Sequence, residues 1–344
     1  MLILRYILLP FSLLYGSVMW LRNIFFDLDI KKVSKVDSTV VSVGNLSMGG
    51  TGKTPHVDWI VSKLKDEIPT AILSRGYGRK SKGFLLVTKH SQAETVGDEA
   101  LFYKRKHKED IEVAVAEKRV EGAEKLLNLK SNLKLIVLDD AYQHRYIQRD
   151  VNILLTDYNQ PFYKDFVVPS GRLREFRVGK KRADVVIVTK CPSSIDEAEK
   201  DLIQKRIDIA PDKLVCFSQI KYGEILPVST GEFMIPEKIL LVTGIANPQP
   251  LHDHLKKMAD VELLSFPDHH DFTAKDIRKI HNLFDTFATQ NKCIVTTAKD
   301  VPRLSSIVVK PIIENYPWFY QTINVEIDKE QELLKKIKEH VKKD

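Results

Sequence analysis

From residue 38 onward the chain alternates short β-branched apolar runs with amphipathic stretches long enough to be helices. That rhythm belongs to strands joined by crossover helices in a parallel sheet. It predicts strands at 39–43, 70–73, 112–115, 133–138, 151–155 and 184–189. After residue 214 the rhythm changes: apolar runs at 214–220 and 224–228 flank Tyr222 and Gly223 in the manner of an antiparallel ribbon. A second alternating series follows, with strands at 239–243, 261–265, 294–297 and 322–327 and helices between them. The tail carries Leu333, Leu334, Ile337 and Val341 at helical spacing among lysines and glutamates, which predicts a surface helix. The pattern therefore divides the chain into an apolar N-terminal segment (1–27), a main α/β domain (28–213), a two-stranded linker (214–230), a smaller α/β domain (231–328) and a C-terminal helix (329–344). No internal repeat interrupts it.

The N-terminal segment does not follow this rhythm. Sixteen uncharged residues separate Arg5 from Arg22, and a helix of that length rises about 24 Å, short of a bilayer core of about 30 Å. Arg5, Ser12, Gly16 and Asn23 fall on one narrow stripe, leaving most of the circumference to Leu, Ile, Phe, Tyr and Trp. An interfacial helix is the expectation, with Tyr6, Tyr15 and Trp20 at the headgroup boundary, the arginines near anionic lipid and a kink at Pro10. A helix docked on the protein's own core is the alternative. A secretory signal is disfavoured, since no small-x-small cleavage site follows.

Composition narrows the class. Hydrophobic residues make up 43% and charged residues 29%, which excludes disorder and a multi-span membrane protein. The 53 Lys and Arg against 46 Asp and Glu leave +7, which favours anionic partners such as phosphates or an acidic membrane surface. No basic patch interleaved with aromatics points to nucleic acid. Cys191, Cys216 and Cys293 are odd in number and form no C-x-x-C pair, so a reducing cytosol and buried thiols are expected.

The sharpest local signal is Ser47-Met48-Gly49-Gly50-Thr51-Gly52-Lys53-Thr54, set between a predicted strand and a predicted helix. Glycines let backbone N–H groups curl around phosphates, Lys53 reaches the β and γ groups, and the Thr54 hydroxyl ligates Mg²⁺ at a helix N-terminus. Ser47 stands where the strict G-x-x-x-x-G-K-[ST] pattern has glycine. A carboxylate at the end of a neighbouring strand completes such a site, and 135–138 runs into Asp139 and Asp140. One or both would meet the metal. Thr189-Lys190-Cys191-Pro192 lacks the aspartate of a guanine-reading N-K-x-D segment, so ATP is favoured over GTP. The fold class is thus α/β, with a P-loop NTPase-like parallel-sheet domain and a smaller α/β domain joined by a two-stranded linker.

Eight stretches in order resemble the tetraacyldisaccharide 4'-kinases of lipid A biosynthesis: 44–55, 73–79, 96–99, 139–144, 169–175, 242–248, 266–270 and 297–300. The chain departs from that family at Ala141, usually glycine, and at Ala100, often proline. The resemblance implies transfer of the ATP γ-phosphate to the 4'-hydroxyl of a tetraacylated glucosamine disaccharide 1-phosphate at the cytoplasmic face of the bacterial inner membrane, by a peripheral or monotopic protein. A P-loop regulatory or metallochaperone NTPase acting through a protein partner is the alternative.

A sugar hydroxyl must lose its proton as it attacks phosphorus, and Asp98 is assigned as the acceptor, although an aspartate there also suits a helix cap. The resemblance implies a histidine from the second domain beside it, assigned to His269 with His270 as the fallback. Glu99 is placed in the magnesium shell or, equally, as an acid in a helix's first turn. Charge on the transferring phosphoryl group calls for arginine: Arg119 is assigned to the phosphates and Arg75 to the substrate. Tyr77, His144, Arg174 and Glu175 occupy family motif positions and are substrate candidates.

Overall fold

The computed structural model describes residues 2–228, 232–268, 270–304 and 313–341. Its strands are β1 (Thr39–Asn45), β2 (Thr70–Ser74), β3 (Leu85–Leu86), β4 (Glu112–Val115), β5 (Leu135–Asp139), β6 (Val151–Asp157), β7 (Val185–Thr189), β8 (Leu214–Pro227), β9 (Lys238–Thr243), β10 (Asp260–Ser265), β11 (Lys292–Thr297) and β12 (Trp318–Ile327). The helices are α1 (Leu2–Ile7), α2 (Leu9–Asp27), α3 (Lys53–Leu64), α4 (Ala93–Val96), α5 (Asp98–His107), α6 (Arg119–Leu129), α7 (Glu197–Ile207), α8 (Gln249–Leu255), α9 (Ala274–Asp285), α10 (Val301–Leu304) and α11 (Glu330–Lys338). Among the described residues one sheet runs in the order β10-β9-β11-β12-β8-β7-β6-β1-β5-β2-β4-β3. From β4 to β8 every pairing is parallel, with β3 the antiparallel edge. The strands are near-continuous Val, Ile and Leu because helices cover both faces of a parallel sheet. The chain is an α/β protein, as its alternating pattern predicts.

The linker forms differently from the expectation. Tyr222 and Gly223 do not turn the chain: β8 continues through them, and its antiparallel partner is β12, with Ile323 opposite Tyr222 and a register shift between Gln321 and Ile323. A ribbon of two strands joins the halves, but its second strand, β12, begins 91 residues after β8 ends. Gly223 sits at the irregularity because a Cβ there would lie 2.6 Å from Thr322 Oγ1. The tail also differs. Leu333, Leu334 and Ile337 of α11 are buried with Val41, Val57 and Leu64 of the first domain, so the helix closes that domain's core. Lys63–Glu330 at 2.7 Å and the Thr39 hydroxyl donating to the His340 carbonyl at 2.7 Å fix it there.

The N-terminal segment breaks at Leu8, and Pro10 lies in the first turn of α2, where its missing N–H costs nothing. The small polar stripe faces the protein. The Ser12 hydroxyl bonds Ser170 Oγ at 2.8 Å, Asn23 Nδ2 donates to Glu175 Oε2 at 2.7 Å, and Gly16 lies against the Phe176 ring. The apolar face points outward: Ile7, Phe11, Leu14 and Val18 are all about 60% or more exposed. The helix is thus docked through its small residues, not through its apolar ones.

A Cβ at Gly16 would stand 2.6 Å from Phe176 Cε1. Gly16→Leu is therefore expected to weaken docking of α2 by about 1–3 kcal/mol, read as lost hydrogen-exchange protection over residues 9–27. Unchanged protection would show that the contact does not hold the helix.

Candidate active site

The turn from β1 into α3 is the glycine-rich loop. Gly49 (φ +103°) and Gly52 (φ +83°) adopt left-handed backbone that L side chains rarely accept, and the Gly49 and Gly50 positions face open space. The loop is braced on three sides. Asn45 Nδ2 donates to Thr51 Oγ1 at 2.7 Å; Met48 N–H donates to the Arg172 carbonyl and Arg174 N–H to the Leu46 carbonyl, both at 2.7 Å. From β7, Thr189 Oγ1 donates to the Thr51 carbonyl at 2.9 Å, and Lys190 Nζ reaches the Gly50 carbonyl and Asp157. His56 is buried, which with Lys190 nearby lowers its pKa to about 4, so the ring is neutral. Its Nδ1 donates to the Gly52 carbonyl at 2.7 Å, which leaves Nε2 to accept from Ser218 Oγ of β8 at 2.8 Å. The ribbon thereby touches the loop.

Parallel pairing of β1 with β5 sets Asp139 opposite Val43, at the mouth of this loop. The two adjacent carboxylates then diverge. Asp140 turns on a positive φ of 46° to meet Lys53 Nζ at 3.7 Å and a forked Arg174 guanidinium at 3.1–3.3 Å. Burial would raise its pKa, but Lys53 and Arg174 prevail and hold it below the usual carboxylate range. Asp139 is fully buried: burial first, then Glu99 and Asp140, push it up to about 7. Ser74 Oγ donates to its Oδ2 at 3.4 Å, while its Oδ1 is a buried oxygen with no hydrogen-bond partner. Such an oxygen, beside a lysine and a phosphate loop, suits a hard cation that keeps one or two carboxylates and takes its other ligands from phosphate and water. Among the described residues no three His, Cys, Asp or Glu side chains converge as a self-sufficient metal cage.

Asp98 opens α5 directly after Gly97 (φ +85°), so Gly97 and not Asp98 occupies the capping position. A Cβ on Gly97 would lie 3.0 Å from the Tyr77 carbonyl, and this close approach packs the Asp98 turn on the Arg75-Gly76-Tyr77 loop. From the second half of the chain, Arg303 of α10 meets the Asp98 carboxylate, with Nε at 2.9 Å from Oδ2. Arg303 is itself buried and held by Asp300 at 3.2 Å. Asp300 in turn accepts from Thr297 Oγ1 at 2.7 Å and Gly244 N–H at 3.1 Å. His269 lies outside the described residues. His270 stacks on Phe266 and places Nε2 3.2 Å from Asp276 Oδ2 of its own domain.

A profile of the tetraacyldisaccharide-1-P 4'-kinase family matches residues 4–342. The chain belongs to this family. It is 39% identical over 351 residues to the tetraacyldisaccharide 4'-kinase of Bacteroides thetaiotaomicron, covering 97% of this chain and 91% of that one. It is 42% identical over 337 residues to that of Cytophaga hutchinsonii, covering 97% and 95%. The crystal structure of LpxK from Aquifex aeolicus in complex with ATP superposes with a TM-score of 0.77 at 30% identity, covering 98% of this chain and all of that one.

In this member of the 4'-kinase family the remaining motif residues separate into two groups. Arg75 and Tyr77 are exposed beside Asp98, Tyr77 at 72%. His144 is half-buried, and burial with Arg119 and Arg75 nearby lowers its pKa to about 4, so it is neutral. Arg119, assigned to the phosphates, is buried and braces two strand ends: Nη1 donates to the Ala116 carbonyl at 2.5 Å and Nη2 to the Asp139 carbonyl at 3.3 Å. Glu175, expected to meet substrate, is 1% exposed, with both oxygens committed to Asn23, Gln143 and Arg182. That is a correction: its carboxylate ties α2 to the loop after β5. Arg303, Lys190 and His56 escape sequence reasoning. Arg303 follows Asp300 at i+3, a spacing that brings the two side chains together on one helical turn, but nothing in the sequence ties either to Asp98.

Proposed function

We propose that the chain transfers the γ-phosphate of ATP to the 4'-hydroxyl of tetraacyldisaccharide 1-phosphate, giving the 4'-phosphorylated lipid A precursor. It is an ATP-dependent kinase of lipid A biosynthesis, and Mg²⁺ accompanies the nucleotide. The single observation that carries the site assignment is the unpartnered, buried Asp139 Oδ1 beside Lys53 at a glycine-rich loop. Residues Ser47 to Thr54 cradle the phosphates, with Lys53 as their cation. Mg²⁺, once bound, would supply positive charge to the phosphate oxygens. Asp139 and Thr54 would hold it directly, with Glu99 near its shell and Asp140 keeping Lys53 and Arg174 in place. Asp98 takes the proton of the acceptor hydroxyl. Arg75 and Tyr77, exposed beside Asp98, contact the sugar phosphate, and the base sits where the first domain (28–213) and the second (231–328) meet.

None of the described helices is long and apolar enough to cross a membrane. The exposed apolar face of α2 supports a peripheral position, with the helix lying in the cytoplasmic surface of the inner membrane. The test is transfer of labelled γ-phosphate to tetraacyldisaccharide 1-phosphate in detergent micelles. A labelled lipid is expected from wild type, and Lys53→Ala should reduce it by at least about 10²-fold, since the preorganised cation acts on charge developing in the transition state. Nucleotide hydrolysis without lipid product would point to a regulatory NTPase.

A further inference from the structure

A cavity of about 600 Å³ is lined by Phe162, Tyr163, Lys164, Arg177, Lys180 and Arg206, none of them a residue of the phosphate loop. Four of its six walls are cationic, and among the described residues one carboxylate forms an ion pair with them: Asp208, 83% exposed, pairs with Lys180 at 2.9 Å. Arg177 donates to the Asp165 main-chain carbonyl at 2.8–3.0 Å and lies over the Phe166 ring. Arg206 meets the Tyr163 phenol. Neither neutral partner cancels charge. The Asp165 carboxylate is committed to Arg172, and Lys164 has no ion-pair partner among the described residues.

Around this cavity stand exposed apolar tips: Phe166 (43%), Val178 (47%) and Leu202 (48%), the last one turn before Arg206. A second cavity of about 360 Å³ shares Lys164 and is closed by Arg5 of α1. The same loop carries Ser170 and Phe176, the residues that dock α2. The cationic cavity and its apolar tips thus lie on the segment against which α2 is docked. Arginine forks and a lysine point charge suit phosphate oxygens, and apolar tips beside them suit the acyl boundary just below a headgroup.

We propose that this cavity binds the phosphate of an anionic glycerophospholipid, apart from the cleft that holds Lys53 and Asp98. The proposal rests on the reading that α2 lies in the membrane surface, and it adds lipid selectivity to it. A zwitterionic headgroup carries its own ammonium, which the four cations repel; a phosphatidylglycerol-type headgroup does not.

Full-length protein is titrated with phosphatidylcholine vesicles and with vesicles also containing phosphatidylglycerol, as wild type and as the double variant Lys164→Ala with Arg206→Ala, both surface positions. Each juxtamembrane cation removed is expected to weaken binding to the anionic vesicles about fivefold, hence about 25-fold together, with binding to phosphatidylcholine unchanged. Soluble dihexanoyl phosphatidylglycerol should bind wild type saturably and the double variant far more weakly; this arm supports the site even if wild type ignores all vesicles, a result that would instead sink the membrane reading. Equal wild-type and variant binding in both arms overturns the site and leaves the membrane reading standing. Inorganic phosphate binding as tightly as the short-chain lipid overturns the lipid assignment. So does a raised KM for the disaccharide in neutral detergent with kcat unchanged, because the cavity would then hold the acceptor's own phosphate.

Discussion

Asp98→Asn is expected to keep ATP binding and to lower phosphate transfer by about 10²–10⁴-fold, the usual worth of a positioned general base. The amide has the carboxylate's shape but cannot take the acceptor's proton. The turn should survive the change, because Gly97 supplies the cap and Arg303 keeps its second anchor at Asp300. Nucleotide affinity rests on the loop after β1, held by Asn45, Thr189 and Lys190, none of which touches Asp98. The measurement is single-turnover transfer alongside equilibrium nucleotide binding. Loss of binding together with transfer would mean that the substitution had disturbed the fold; transfer within a few-fold of wild type would move the base to another residue.

The contact between Asp98 and Arg303 means that the base proposed at Asp98 would draw support from the second half of the chain. Arg303 is buried and bound to Asp300, which is tied to the start of the loop after β9 through Gly244 N–H. The Thr-Ala-Lys-Asp and Val-Thr-Gly-Ile motifs are therefore one structure, a support for a guanidinium aimed at Asp98.

How much of this was legible follows from the range of each interaction. The phosphate loop and the strand-end acids are local patterns, each at the C-terminal end of a strand, and the parallel pairing of β1 with β5 brings the two ends together. Eleven of the twelve described strands announce themselves through apolar runs; β3, two half-buried leucines, does not. The partner of β8 was not legible, because 214–220 and 224–228 pair as well with a distant strand as with each other. The apolar face of the N-terminal helix reads as an interfacial one and does point outward, but that Ser12, Gly16 and Asn23 fit Ser170, Phe176 and Glu175 was not legible. Glu175 shows the same limit. A motif glutamate looks the same whether it meets a ligand or, as here, three donors of its own chain.

Asp139→Asn is expected to abolish most activity and yet stabilise the metal-free protein above pH 7. The folded chain raises Asp139 from its ordinary 3.8 to about 7, chiefly by burial, then by Glu99 and Asp140. Between these values the folded state holds a proton that the unfolded state has released, so wild-type stability falls as pH rises through that window and levels off above it. The asparagine variant carries no such proton and escapes the fall. Without Mg²⁺ the two should unfold alike near pH 4 and differ on the order of 2–4 kcal/mol at pH 8, with the variant the more stable. Adding Mg²⁺ and nucleotide should stabilise wild type alone, and less so below about pH 7, where protons compete for the same oxygens. Thermal melts at the two pH values, with and without Mg-nucleotide, read all of this. A variant less stable than wild type at pH 8, or a wild type whose stability rises from pH 4 to 7 in proportion to this group, would show that the buried carboxylate is compensated in the metal-free fold and that Asp139 is not the residue kept under strain for the metal.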